Sequence, residues 1–100
     1  IEGAANLPTS IFVGSAYPNP FNHEVKFPIS SNEPSLVKYS IYGLNGQTIS
    51  TGQKTFESNS MGYLSWNGLA PNGLHAPSGT YFVRISNGNN VQTQKILYLK

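Results

Sequence analysis

The feature that most constrains the fold of this chain is a series of short alternating segments separated by turn residues. Apolar and polar side chains alternate over residues 25–29, 36–42 and 80–86, which is the period of a half-buried β-strand. Turn signals such as Asn45-Gly46 and Pro71-Asn72-Gly73 recur roughly every ten residues, and no segment has a helical period. The pattern predicts an all-β protein, an immunoglobulin-like antiparallel β-sandwich of about seven strands.

The expected strands fill the stretches between these turns. In chain order they cover residues 11–17, 25–29, 36–42, 47–57 with a break at Gly52, 63–66, 80–86 and 91–99. Pro28 lacks a backbone donor, so its strand is expected at a sheet edge, or else to stop pairing there. Asn45-Gly46 predicts a tight hairpin in which both residues have a positive φ.

Length and composition indicate one domain with a modest core. The chain has 100 residues, enough for a single unstapled domain. Residues 1–10, rich in Gly, Ala, Pro and Ser, are interpreted as a linker, and residues 11–100 as the domain. Because the chain opens without methionine, we expect it to be part of a longer protein. No apolar run is long enough to predict a membrane span.

The charged residues exclude most site chemistry. Only 10% of residues are charged, and cysteine and aspartate are both absent. Catalysis by a serine nucleophile needs a base oriented by a carboxylate, but His23 and Glu24 are adjacent and would face opposite sides of a strand. His75 is interpreted as a solvated loop histidine. Nothing clusters as metal ligands and no glycine-rich phosphate loop occurs, so we predict no enzyme activity, catalytic residue, metal or cofactor. The basic residues are scattered, which argues against a nucleic-acid surface.

A second prominent feature is the hexapeptide of residues 17–22, Tyr-Pro-Asn-Pro-Phe-Asn. The prolines fix φ and remove two donors, and the residues before them are biased toward extended backbone. The hexapeptide is therefore expected to be a stiff, extended connector. Phe21 is expected to clamp a sheet edge, and Asn19 to lie on the surface.

Aromatic residues are more numerous than a small core needs, which leaves carbohydrate binding open as an alternative. A row of aromatic side chains on one exposed sheet face would favour it, whereas inward-facing aromatics would count against it. Trp66, Tyr39 and Tyr81 fall on positions that alternate inward.

Five landmarks in order resemble the C-terminal sorting domain (type A) of cargo proteins of the type IX secretion system. They are residues 17–22, the turn at 41–47, Trp66-Asn67-Gly68, residues 78–84 and the closing segment 95–100. The family's usual aspartates are replaced by Gly43 and Asn67. The resemblance implies a recognition motif that comprises Tyr17, Pro18, Asn19, Pro20, Phe21, Asn22, Gly46, Gly79, Tyr81, Lys95 and Lys100.

The resemblance also implies a function, a set of partners and a location. Such domains direct a larger cargo protein through the periplasm and across the outer membrane, to be secreted or held at the cell surface. The implied partners are the outer-membrane translocon, its shuttle proteins, a cell-surface sortase and the upstream cargo domain. Cleavage would be easiest within residues 1–10.

The closing segment offers a mechanism for this recognition. If residues 91–100 form an edge strand, their unpaired backbone groups are available to a partner, and Lys95 and Lys100 add charge. The alternative expectation is that this strand only completes the sandwich and is not recognised. The other functions that we consider are a carbohydrate-binding module and a structural immunoglobulin-like spacer, like the similar domain of flagellar hook-capping proteins.

Overall fold

A computed structural model describes residues 11–88 and 90–100. They form seven β-strands and the loops that connect them. The strands are β1 (Ile11–Val13), β2 (Val25–Ser31), β3 (Ser35–Tyr42), β4 (Thr48–Phe56), β5 (Ser60–Trp66), β6 (Gly79–Asn87) and β7 (Asn90–Tyr98). The predicted all-β fold and strand number are therefore confirmed. The linker predicted for residues 1–10 lies outside the described residues.

The strands form two antiparallel sheets. One sheet has three strands in the order β1-β2-β5, and the other has four in the order β4-β3-β6-β7. Inward-facing side chains of both sheets make one core, because alternate residues of each strand point to the same side. Fully buried core residues include Val25, Phe27 and Ile29 of the first sheet, and Val37, Ile41, Val83 and Ile96 of the second.

Pro28 does not mark an edge strand, because β2 is the central strand of its sheet, but the pairing of β2 with β1 ends at Ile29, beside the proline, as the other alternative predicted. The β2–β5 register runs without interruption from Val25 to Ser31, and Pro28 lies opposite Tyr63. On the other side, the Pro28 carbonyl accepts a hydrogen bond from the Gly14 backbone amide at 2.8 Å. The missing donor of Pro28 coincides with the point where β1 has ended, so few ladder bonds are lost. Because Pro28 has no amide to bond to the next residue of the first strand, β1 ends at Val13 and not at Tyr17 as predicted.

A side chain from the opposite sheet completes the backbone hydrogen bonding of residues 14–16. Gln94 of β7 donates from Nε2 to the Gly14 carbonyl at 2.8 Å, and its Oε1 accepts from the Ala16 amide at 2.9 Å. A proline at position 28 has no amide to offer Gly14, and the carboxamide of Gln94 supplies the donor instead. This one side chain thus links the two sheets where the edges of β1 and β7 approach each other.

Replacing Gln94 with leucine is expected to lower the free energy of unfolding by about 2 kcal/mol, because two partly buried backbone groups lose their partners. Gln92→Leu is the matched control, since Gln92 is exposed on the same strand and its replacement should change stability by less than about 0.5 kcal/mol. Urea unfolding of both variants measures the difference. Equal stabilities would show that water replaces the carboxamide without cost.

The expected break at Gly52 is also absent, and β4 runs continuously from Thr48 to Phe56. Gly52 pairs with Tyr39, and the Tyr39 ring covers the glycine so closely that an added Cβ would lie 2.5 Å from its hydroxyl. The glycine therefore makes room for an aromatic ring across the strand pair. A glycine of this kind marks a close approach and does not end a strand.

The β3–β4 hairpin differs from the predicted two-residue turn. Gly46 has a φ of 85°, but Asn45 has no positive φ. The Gly46 amide donates to the Gly43 carbonyl at 3.0 Å, and the Gly43 amide donates to the Gln47 carbonyl at 2.8 Å. Asn45 instead uses its side chain to accept from the Gln47 amide at 3.1 Å. The turn is a three-residue loop that ends in a left-handed glycine.

Candidate recognition surface at the last strand

Residues 17–22, which we call the clamp, cross from one sheet to the other. At its start, Tyr17 exchanges backbone hydrogen bonds of 2.8 and 2.9 Å with Lys26 of β2. At its end, the Phe21 amide donates to the Leu97 carbonyl at 3.0 Å, and the Leu99 amide donates to the Phe21 carbonyl at 2.8 Å. The clamp therefore ties the three-stranded sheet to the outer edge of β7.

Asn19 closes the next part of the same edge with its side chain. Its Nδ2 donates to the Lys95 carbonyl at 3.1 Å, and its Oδ1 accepts from the Leu97 amide at 3.0 Å. Asn19 is exposed, as the sequence suggested, but it also binds the sheet edge, a role that was expected of Phe21 alone. A carboxamide carries one acceptor and two donors, so it pairs with a strand edge much as a peptide group does.

The predicted extended shape of the clamp is wrong. Residues 18–20 form a bend, and the peptide bonds before Pro18 and Pro20 are both cis. Pro18, Pro20, Asn22 and Leu99 line a shallow cavity of about 300 Å³ beside Phe21. The exposed side of the clamp is therefore a surface of prolines and asparagines at the end of β7.

Beneath the clamp, Phe21 belongs to a cluster of aromatic rings. Its side chain is 2% exposed and is stacked on Tyr98, with ring centroids 4.8 Å apart. Trp66 lies 5.9 Å from Phe21 and meets Tyr81 edge to face at 5.3 Å. Such ring pairs stabilise beyond the area that they bury. The prediction that Phe21 clamps an edge strand agrees with this packing.

Polar groups of the cluster are satisfied by nearby loops. The Trp66 indole donates to the Leu69 carbonyl at 3.0 Å, and the Tyr81 hydroxyl donates to the Pro77 carbonyl. Burial, and then the neighbouring Tyr98, raise the pKa of Tyr81 above its ordinary value. The Tyr81 hydroxyl is therefore held in its neutral, donating form.

Sequence reasoning missed two further members of this region, His75 and Gly68. His75 is exposed, as expected of a loop histidine, but its Nδ1 lies 2.8 Å from the Tyr98 hydroxyl in a hydrogen bond. Gly68 has a φ of 81°, and an added Cβ would lie 2.5 Å from the Tyr98 ring. The sequence Asn67-Gly68 predicted a turn, but no sequence pattern indicated that the Tyr98 ring packs against Gly68.

The structure brings most of the predicted recognition residues to one edge of the four-stranded sheet. Gly79 pairs with Tyr98, and the Lys100 amide donates to the Ser78 hydroxyl at 2.9 Å. The side chains of Lys95 and Lys100 are exposed. Two residues are exceptions. Gly46 lies in the loop that joins β3 to β4 on the other side of the sheet, and Tyr17 bonds to Lys26 of the three-stranded sheet.

The first half of β7 remains an open edge. Residues 95, 97 and 99 turn backbone groups toward the clamp, so Val91 and Thr93, of the same parity in an antiparallel strand, turn theirs outward too. No other strand of the described residues pairs with this stretch, and both side chains are exposed. The last strand is therefore an edge that is closed at its end and open at its beginning.

Neither a cluster of metal ligands nor a membrane-spanning helix is present in the part of the chain that the structure describes. There, no three His, Cys, Asp or Glu side chains gather as they would around a metal ion. Residues 11–88 and 90–100 also contain no helix long and apolar enough to cross a membrane.

These features define a small β-sandwich whose final strand is held by an upstream proline-asparagine segment. A family model for the secretion system C-terminal sorting domain matches residues 15–99. The chain belongs to this family, whose members are non-catalytic sorting signals of the type IX secretion system. Membership implies that the domain is part of a larger secreted or cell-surface cargo and that it interacts with the secretion machinery.

Solved structures with a similar fold include PorU and the flagellar protein FlgD. Dimeric latent PorU from Porphyromonas gingivalis matches 92% of this chain with a TM-score of 0.76 and 17% identity. FlgD from Xanthomonas campestris, whose structure bears on the hook capping essential for flagellar assembly, matches 87% of this chain with a TM-score of 0.61 and 14% identity. This chain spans 9% of the PorU chain and 64% of the FlgD chain.

A β-glucosidase from Listeria innocua also contains a similar domain. It matches 91% of this chain and 16% of its own, with a TM-score of 0.52 and 8% identity. At these identities the similarities show the fold alone, so the similarity to a glucosidase is not evidence of glycosidase activity. No curated protein sequence matches the chain.

Proposed function

We propose that this domain is the address that carries a larger cargo protein across the outer membrane, and that the secretion machinery reads it at β7 and the clamp. The observation that carries the proposal is the state of the β7 edge, closed by Asn19 and Phe21 at its end and open at Val91 and Thr93. An edge of this kind accepts an extended segment of a partner by strand addition.

The predicted motif residues then divide into two groups by burial. Phe21 and Tyr81 are buried, so they act by holding the surface in shape. The exposed side chains are the ones available to a translocon or shuttle protein, and they are those of Tyr17, Pro18, Asn19, Pro20, Asn22, Lys95 and Lys100. In this proposal the domain itself catalyses no reaction, and a cell-surface sortase cleaves within residues 1–10 before the cargo is attached or released.

An export assay tests the address and its lysines together. Residues 1–100 are fused behind a periplasmic signal and a fluorescent reporter in a bacterium with type IX secretion. The test variant carries Lys95→Glu and Lys100→Glu, and the control carries Lys38→Glu and Arg84→Glu. All four side chains are exposed, and both variants change the net charge equally.

We expect the wild-type fusion and the control to appear outside the cell, and the Lys95/Lys100 variant to stay in the periplasm. A translocon-deficient strain should retain all three. Equal export of both charge variants would contradict the role of the two lysines. Periplasmic retention of the folded wild-type fusion would contradict the sorting function itself.

A further inference from the structure

The outer face of the three-stranded sheet carries exposed apolar side chains, Phe12, Met61 and Tyr63, that lie outside the clamp and β7 and that the sorting proposal does not use, together with Tyr17 of the clamp. Lys26, Pro28 and Ser30 of β2 point away from the core, since their neighbours Val25, Phe27 and Ile29 are buried. Residues directly opposite in an antiparallel pair share a face. Phe12 and Met61 therefore flank Ser30, Tyr63 lies beside Pro28, and Tyr17 lies beside Lys26.

We call this face, with Phe12, Tyr17, Lys26, Met61 and Tyr63, the aromatic platform. Phe12 is 73% exposed and Met61 85% exposed. Between them runs an apolar trough of about 230 Å³, whose lining includes Gly14, Pro28 and Gly62. Tyr17, bridged to Lys26, and Tyr63 of β5 lie on opposite sides of β2, so their backbones are on the order of 10 Å apart. Small residues in the floor and large rings at the rims give a shallow site for a flat ligand.

Two ammonium groups lie at one end of the platform, and among residues 11–88 and 90–100 neither has a carboxylate partner. Lys26 Nζ is 4.6 Å from the centroid of the Tyr63 ring, and Lys54 Nζ is 5.4 Å from it. Lys54 also donates to the Tyr63 carbonyl at 3.2 Å, which keeps it beside the ring. Within the described residues no ion pair joins either lysine to a carboxylate. Both charges are thus held by an aromatic ring and left available to an anion.

From this arrangement we infer that the aromatic platform binds an acidic polysaccharide. The apolar faces of pyranose rings pack against aromatic side chains, which offer an apolar surface at little entropic cost. A carboxylate on the same sugar would then reach Lys26 and Lys54. The inference takes up the alternative of a carbohydrate-binding module, which a row of aromatics on one exposed sheet face would favour. The buried Trp66 and Tyr81 count against it, and they form no part of the platform. It is independent of the open β7 edge, which lies on the other sheet.

Isothermal titration of the 100-residue chain with polygalacturonate, and with neutral dextran for comparison, tests the inference. We expect binding of polygalacturonate and none of dextran. Phe12→Ala with Tyr63→Ala should weaken binding at least tenfold, because the apolar contact is lost. The control is Leu44→Ala with Leu74→Ala, which should bind like wild type. Leu44 is as exposed as Phe12, at 74%, but lies in the β3–β4 loop.

A second pair of variants distinguishes binding at a specific site from the general attraction of an anionic polymer to a basic protein. Lys26→Gln with Lys54→Gln should weaken binding about tenfold, whereas Lys38→Gln with Arg84→Gln removes the same charge elsewhere and should not. Equal losses in the two pairs would overturn the inference, as would unchanged affinity in the Phe12/Tyr63 variant. Binding of vesicles with anionic phospholipid but not polygalacturonate would overturn it as well. The platform variants should be exported normally, so failure here and failure of the sorting proposal are distinguishable.

Discussion

Replacing Phe21 with alanine is expected to lower the free energy of unfolding by about 3 to 5 kcal/mol. The ring is buried and stacked on Tyr98 at 4.8 Å, and the aromatic rings around it cannot collapse fully into the space that it leaves. A domain of this size has on the order of 5 to 10 kcal/mol of stability, so the loss removes a large part of it. The variant should also release the end of β7, since the backbone bonds from Phe21 to Leu97 and Leu99 depend on the position of the ring.

Chemical denaturation of the variant, together with Asn22→Ala, measures this effect. Asn22 is the exposed neighbour of Phe21, and its replacement should shift stability by less than about 0.5 kcal/mol. Hydrogen exchange adds a local reading, because the amides of Leu97 and Leu99 should lose protection in Phe21→Ala before the strand interiors do. A loss below about 1 kcal/mol would contradict the view that the clamp is anchored by its aromatic residue.

The sequence was sufficient to predict the sandwich, because alternation and turn residues act locally. Strand existence follows from a period of two, and Phe21 is assigned to a sheet edge because two prolines make residues 17–22 stiff. The boundaries were less predictable. β5 begins at Ser60 instead of Tyr63, since its first residues pair with Ser30 and Ser31 of β2, and that register is a tertiary property.

The errors at Pro28 and Gly52 have a common physical cause. Each residue weakens a strand by its own chemistry, and in each case a side chain distant in sequence compensates. Gln94 supplies a donor to Gly14 opposite Pro28, and the Tyr39 ring covers Gly52. Local propensity is overridden where the fold brings such a partner near, and no sequence pattern announces a partner that is many residues away.

Partners distant in sequence also pair with the outer backbone groups of β7. A neighbouring strand would bond to every outward-facing peptide group, but among the described residues only the side-chain amide of Asn19 and the backbone of Phe21, two residues of the clamp, bond to some of them. Asn19 bonds to Lys95 and Leu97, and Phe21 bonds to Leu97 and Leu99. Natural sheets protect their edges against indiscriminate pairing. In this chain the protection stops before Thr93, which is why the proposed recognition begins there.

Glycine-to-alanine replacement at two turns is expected to give very different losses, about 3 kcal/mol for Gly68→Ala and about 1 kcal/mol for Gly73→Ala. Both residues have a similar left-handed backbone, with φ of 81° and 85°, so both substitutions carry the same conformational cost of about 1 kcal/mol. Only at Gly68 does the new Cβ meet another residue, at 2.5 Å from the Tyr98 ring, whereas nothing lies within 4 Å at Gly73. Overpacking a core contact of this kind costs about 1 to 3 kcal/mol more.

Tyr98 cannot relieve the clash by moving, because it is fully buried, stacked on Phe21 and hydrogen-bonded to His75. The extra cost should therefore appear in thermal unfolding as a midpoint at least about 8 °C lower in Gly68→Ala than in Gly73→Ala. A double variant with Tyr98→Leu tests the cause, since without the ring hydroxyl and its carbon the alanine at position 68 should cost little more than its backbone term. If Gly68→Ala remains equally harmful in the Tyr98→Leu background, the ring is not the obstacle. In that case the turn after β5, and not its contact with the last strand, sets the requirement for glycine.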